Sequence, residues 1–249
     1  MNDDRVRLLD SDISILEAEG LKDRVLRAVN NRYGGYVCFA NVHTVVDSRT
    51  NADLRCAING SLAAAPDGRP LSVVAKWRGV AGITQVAGPD FFTYLMEEAP
   101  HLSHFFLGGT EQTLAKLLEK LNERYPDLRL AGHYSPPFAP MEGAVNAEII
   151  ERIDRVRPDI VWVGLGAPKQ EIWMSRNWHQ LQPSILMGVG AAFDFHAGTV
   201  RRASPVMRRL GLEWLHRLAS EPRRLWKRYL VTNCVFMWEM MKSLLVVRV

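Results

Sequence analysis

The sequence predicts an α/β fold: a Rossmann-like, largely parallel sheet with helices on both faces, followed by a basic amphipathic helical appendage. Three observations predict it. Through the middle of the chain, short apolar runs that end in glycine alternate with segments of helical periodicity, the order that builds parallel strands. Polar residues and glycines collect where those runs end, the edge at which open α/β sheets bind ligands. The charge is also lopsided: residues 201–249 hold eleven Lys/Arg against three Asp/Glu, a net of +8, so residues 1–200 carry −4 of the chain's +4. The expected organisation is therefore an α/β domain over 1–200 and a helical appendage over 201–249.

With 249 residues and 28.2 kDa, the chain is long enough to bury one large core or two small ones. A hydrophobic share of 47% against 23% charged residues excludes a disordered chain. Cysteines at 38, 56 and 234 are too few and too scattered for a disulfide scaffold or a structural zinc site, and they suggest a reducing compartment. The charged start MNDDRVRLLD lacks the apolar stretch of a secretion signal. No run reaches the roughly 18 apolar residues of a membrane-spanning helix.

Taken in order, GLKDRVLRAVN (20–30) sets Leu21, Val25, Leu26 and Val29 at helical spacing, and Gly34-Gly35 closes it. YVCFANVHTVV begins as a buried strand and turns polar at Asn41 and His43; a helical stretch then runs to about Leu62. AAPDGRPLSVVAKW turns sharply at Asp67-Gly68. HLSHFFLGG is a strand ending in a glycine pair, and TEQTLAKLLEKLNERY is a helix with Thr110 as its N-cap. LRLAGHYSPPF reads as a strand entering a proline-rich loop, and VNAEIIERIDRVRPD as a helix stopped near Pro158. DIVWVGLG is a strand and KQEIWMSRNWHQL a helix. SILMGVGAAFDFHAG is expected to be a strand whose end carries Phe193, Asp194 and His196. From 201 onward, arginine clusters alternate with Trp, Leu, Tyr and Met, the pattern of two or three short helices with bulky apolar faces.

The strand ends hold the candidate chemistry. Glycine lets backbone approach a ligand closely and a helix N-terminus attracts phosphate, so Gly109, Gly164 and Gly166 with Lys169 are candidates for a phosphate site; a simple tight turn fits the same glycines. Neither a Walker A sequence nor a full GxGxxG is present, which disfavours an ATPase or a dehydrogenase. Asp67 fits either a turn cap or, between apolar flanks, a desolvated general base. Asp194 fits a ligand hydroxyl or a cap on the turn at Gly198. His101 and His104 have no third partner at metal-ligand spacing, His43 stands alone, and no nucleophile elbow is present. Three readings suit the basic tail: nucleic acid, an anionic membrane, or a solvated face with an oligomer contact. The large apolar residues at 236–245 favour the membrane over nucleic acid.

The most specific stretches are GLGAPKQEIW (164–173), GVGAAFDFHAGTVRRASP (188–205) and GLEWLHRLASEPRRLWKRYL (211–230), preceded in order by PDGRP (66–70) and QVAGPDFF (85–92). On them the chain, from about residue 8 to about 230, resembles the WecG/TagA/CpsF glycosyltransferases of bacterial cell-surface polysaccharide and teichoic-acid assembly. The resemblance implies an inverting transfer from a UDP-sugar to a polyprenyl-pyrophosphate-linked saccharide, peripherally bound at the cytoplasmic face of the membrane. It implies no cofactor, no metal requirement and no nucleic-acid partner; a homo-oligomer is left open. Asp67 matches the family's proposed base, with Asn41 at the neighbouring strand end. Gln170, between Lys169 and Glu171, falls near the nucleotide-sugar pocket, where Asp194 is also placed. Arg217, Arg223, Arg224 and Arg228 match the arginines thought to close over the active site. Two stretches depart from the family pattern: Phe39-Ala40 before Asn41, and Arg202-Ala203-Ser204-Pro205 in place of an RAP motif. The competing reading is a non-catalytic nucleotide- or nucleic-acid-binding module with a basic tail.

Overall fold

The computed structural model describes residues 4–246. Two short antiparallel strands, β1 (Arg5–Leu8) and β2 (Ser11–Ser14), lead through α1 (Ala18–Asn30) to β3 (Gly35–Ala40). Next come α2 (Val42–Asp47), α3 (Ala52–Asn59), β4 (Ala63–Pro66), α4 (Arg69–Trp77) and α5 (Gly88–Glu98). The middle alternates: β5 (Ser103–Gly108), α6 (Glu111–Arg124), β6 (Arg129–Tyr134), α7 (Gly143–Val156), β7 (Ile160–Gly164), α8 (Lys169–Asn177) and β8 (Ile185–Gly188). The rest is helical: α9 (Ala192–Ala197), α10 (Pro205–Arg209), α11 (Glu213–Ser220) and α12 (Pro222–Val246).

β3 to β8 form one six-stranded parallel sheet in the order β4-β3-β8-β7-β5-β6. Side chains of its central strands are buried on both faces, as parallel strands require. One face packs Val37, Phe39, Phe106 and Trp162 against α1, α5, α6 and α9. The other packs Cys38, Phe105, Val161 and Leu186 against α7 and α8, and Ala40 and Ala64 against α2, α3, α4 and the β1–β2 hairpin. Phe236 and Met240 of α12 join this second face, so the long last helix is docked by buried apolar surface.

Strand order determines where a ligand fits. β5 connects outward through α6 to β6, whereas β7 connects the other way through α8 to β8, and these helices lie on opposite faces. The crevice between the carboxyl ends of β5 and β7 is thus a topological switch point, where open α/β sheets bind ligands.

Three elements differ from expectation. The strand ending in Phe193, Asp194 and His196 stops at Gly188; the chain turns at Gly190, with φ +55°, into the short helix α9 that carries those residues. Apolar residues at 193 and 195 alternate as in a strand, and a six-residue helix is too short to show its own period. The Asp67-Gly68 turn opens directly into α4, with Pro70 in its first turn, where missing N–H groups cost nothing. The four-residue strands of the hairpin carry too little pattern to be read. Among the described residues, no helix is long and apolar enough to cross a membrane.

Candidate functional site

At the outer end of the sheet edge, β3 and β4 bring Asn41 and Asp67 side by side. The Asp67 N–H donates to the Ala40 carbonyl (2.8 Å), extending the strand pairing by one residue. Asn41 caps α2: its Oδ1 accepts from the Thr44 N–H while Thr44 Oγ1 accepts from the Asn41 N–H, a reciprocal box. The Asp67 carboxylate accepts one hydrogen bond, from the Gly88 N–H at the start of α5 (3.1 Å), and its carbonyl accepts from Gln85 Nε2 (2.7 Å). Desolvation pushes its pKa up to about 7, Glu213 raises it further, and the Gly88 N–H, Arg202 and Arg217 pull against them. A carboxyl poised near neutrality suits a general base.

The charges around Asp67 come from the appendage. Arg202 forks onto both oxygens of Asp90 (2.6 and 2.9 Å) and donates through Nε to Glu213 (3.0 Å). Arg208 adds a second contact to Asp90 (2.8 Å). Burial opposes the charge on Asp90, but the two guanidiniums outweigh it and hold the carboxyl below the usual range. Arg217 and Arg202 both stand over the Phe195 ring at 5.8 Å.

The remaining candidates gather at β5, β7 and β8. A Cβ on Gly108 would lie 2.6 Å from the Gly164 carbonyl oxygen, and one on Gly164 would lie 2.7 Å from the Phe193 ring. These glycines are there for packing. Gly166, with φ +79°, faces open space. Gly109 donates its N–H to Gly164 (3.2 Å). The amide of Gln170 is buried and fully used: Oε1 accepts from the N–H groups of Gly166 and Gly190 (3.1 Å each), and Nε2 donates to Glu171 (2.9 Å) and the Gly188 carbonyl (2.8 Å). Gln170 therefore staples the loop after β7 to the loop after β8. Asp194 faces the first turn of α6, where Thr113 Oγ1 donates to it at 3.5 Å, and it also accepts from Thr199 (3.3 Å). Lys169 is exposed, with its ammonium 5.4 Å from the Phe138 ring centroid.

The sequence-predicted residues thus fall into two groups on one edge. Asp67, Asn41 and Arg217 lie at the β4–β3 end; Gly109, Gly164, Gly166, Lys169, Gln170, Glu171 and Asp194 lie at the β5–β7–β8 end. Three strand spacings separate β4 from β7, about 14 Å. Arg223 is exposed at the start of α12, and the side chains of Arg224 and Arg228 lie outside the described residues. Sequence reading missed Gln85, Asp90, Arg202, Arg208 and Glu213 as site residues. Gln85, Asp90, Arg202 and Glu213 were signalled only by membership of the QVAGPDFF, TVRRASP and GLEW stretches, and Arg208 only by its place in the basic appendage. Among the described residues, no group of three His, Cys, Asp or Glu is arranged to hold a metal ion. His104 is buried with Nδ1 accepting from Trp162 Nε1 (3.1 Å), and burial lowers its pKa to about 4, so it is a neutral core residue.

Residues 6–248 match the Glycosyl transferase WecG/TagA/CpsF family. A protein of Bacillus spizizenii (strain W23), N-acetylglucosaminyldiphosphoundecaprenol N-acetyl-beta-D-mannosaminyltransferase, is 29% identical over 199 residues, covering 79% of this chain and 75% of its own length. A Staphylococcus aureus protein of the same description is 30% identical over 155 residues, covering 60% of this chain and 58% of its own. The match to the staphylococcal relative therefore spans less than two thirds of that protein.

Proposed function

We propose, for a chain that belongs to the WecG/TagA/CpsF family of glycosyl transferases, that it moves an N-acetylhexosamine from a UDP-sugar onto a saccharide carried by polyprenyl diphosphate, with inversion and without a metal. The relatives' descriptions support the sugar class and the lipid-linked acceptor. The observation that carries the mechanism is Asp67: a carboxylate at a strand end, poised near pH 7, with one oxygen held by Gly88 and the other left for an acceptor. Asp67 takes the proton of an acceptor hydroxyl; that oxygen bonds to the anomeric carbon as the bond to UDP breaks, and the electron pair leaves with the diphosphate.

The switch-point crevice between β5 and β7 is where the nucleotide diphosphate lies. The N–H groups of Gly109 and Gly166 are already taken, so the charge of the leaving group falls to Lys169, the first turn of α6 and arginines of the appendage. Asp194 beside that turn suits a hydroxyl of the nucleoside. Gln170 acts as a positioning residue that fixes the two loops. Asp67→Asn should lower turnover about 10²- to 10⁴-fold with donor and acceptor saturating. The parental rate should fall on the acid side of a limb near pH 7, because protonated Asp67 accepts no proton. Near-parental turnover in the variant removes Asp67 from this role.

The appendage supports peripheral membrane binding. Along α12, Trp226, Leu230, Met237, Trp238 and Met241 are exposed beside basic residues, the composition of an interfacial helix. Co-sedimentation with anionic vesicles should drop strongly for Met237→Glu/Trp238→Glu; undiminished binding in that variant defeats this part.

A further inference from the structure

Near the end of the edge strand β4 lies a cavity of about 470 Å³, within the roughly 300–1,000 Å³ of ordinary ligand sites. The Val86 N–H donates to the Pro66 carbonyl (2.9 Å), so residues 85–87 run along the outer edge of β4 and form its floor. Tyr94 and Ala18 wall it, and Arg208 and Glu213 of the appendage roof it. Gln85 joins the cavity to Asp67: it lines the space while its Nε2 binds the Asp67 carbonyl.

Its chemistry is that of a sugar site. Two guanidiniums, Arg202 and Arg208, face two carboxylates, Asp90 and Glu213, so the ion pairs leave no net charge to attract a phosphate. What remains is an aromatic wall and hydrogen-bonding groups with spare capacity: the amide oxygen of Gln85, carboxylate lone pairs on Glu213, and the buried Arg208 Nε, which has no hydrogen-bond partner among the described residues. Position agrees with chemistry. An inverting displacement brings the nucleophile in opposite the leaving group. The diphosphate crevice lies inward along the sheet edge from Asp67, whereas this cavity is lined by residues 85–87, whose Val86 bonds to the last residue of the edge strand β4.

We infer that the cavity is the acceptor subsite: it holds the neutral pyranose bearing the attacking hydroxyl and leaves that sugar's diphosphate and lipid at its mouth, toward the basic appendage. This rests on the transferase reading above and deepens it.

The probes are UDP-N-acetylmannosamine as donor and a short-chain prenyl diphosphate N-acetylglucosamine as acceptor, with initial rates taken while each is varied. Binding of the acceptor probe alone is followed by calorimetry. Tyr94→Ala removes the aromatic wall and Ala18→Trp fills the space; thermal melts identify which variant keeps its fold. Either folded variant should raise the acceptor KM and the probe's Kd about five- to tenfold, with the donor KM unchanged. An unchanged acceptor KM, or a raised donor KM, overturns the inference. If the parental chain binds the probe and Ala18→Trp abolishes binding while no transfer occurs, the subsite stands and the transferase reading falls. If the parental chain neither transfers nor binds, both fall.

Discussion

At the β5–β7 end of the sheet edge, polar groups are tied to near neighbours; at the β4 end they are tied to a segment more than a hundred residues away. Gln170 makes four hydrogen bonds, all within its own loop or the adjacent strand end, and the glycines around it are fixed by backbone and ring contacts. Asp67 is hydrogen-bonded to Gly88 and Gln85 nearby, but the charges that tune it, Glu213, Arg202 and Arg217, come from the appendage, which Asp90 contacts through Arg202 and Arg208. The first region is a preformed cradle whose shape does not depend on ionisation. The second is assembled by docking, and its chemistry depends on charge. On the proposed function, the contrast is a division of labour: nucleotide binding on the rigid side, and base activation on the side that the appendage completes.

The rigid side is tested hardest by Gly108. Gly108→Ala places a Cβ against the backbone oxygen of Gly164 at a φ of +113°, and neither partner can rotate away. A loss of about 3 kcal/mol in urea denaturation is expected. Gly166→Ala, with open space around its Cβ, should cost only about 1 kcal/mol. Equal losses would show that conformation alone, and not close approach, explains both glycines.

Gln170→Ala comes next. It strands the N–H groups of Gly166 and Gly190 and the Gly188 carbonyl, at a cost of about 2–3 kcal/mol. Since the two loops lose their staple while Asp67 is untouched, the donor KM should rise more than kcat falls. A pure kcat loss with the donor KM unchanged would move Gln170 out of the cradle.

The same contrast explains what the sequence made legible. DIVWVGLG and HLSHFFLGG could be read as strand ends because burial on both faces forces apolar runs and close packing forces glycine, and both causes act over a few residues. Thr110 could be read as an N-cap for the same reason, and its Oγ1 does accept from the Thr113 N–H. The Asp90–Arg202 pair spans 112 residues and the Asp90–Arg208 pair 118, and no periodicity encodes such a contact. Apart from the family resemblance, Asp67 stood out only as a carboxylate between apolar flanks. Its raised pKa depends on desolvation and then on Glu213, which only the fold brings near it.

The smallest change in stability should give the clearest reading of the docked side. The Asp90 side chain is only half-buried, and ion pairs with an exposed partner are worth about 0–1 kcal/mol, so Asp90→Asn should move the melting temperature little. Its effect on the base should be larger. Asp67 is held near pH 7 first by desolvation and then by Glu213, and loosening the appendage moves Glu213 away, which lowers the pKa. Arg202 and Arg217 act in the opposite direction; each ranks below Glu213, and we expect the loss of Glu213 to set the sign. The acid limb of the rate profile should therefore move to lower pH, and the rate on the alkaline plateau should fall as the base weakens. Asp53→Asn is the control: it breaks a more exposed ion pair, with Arg176, on α3 and α8. If the two variants share one unshifted profile, the appendage does not set the ionisation of Asp67, and the division between a rigid cradle and a docked base is wrong.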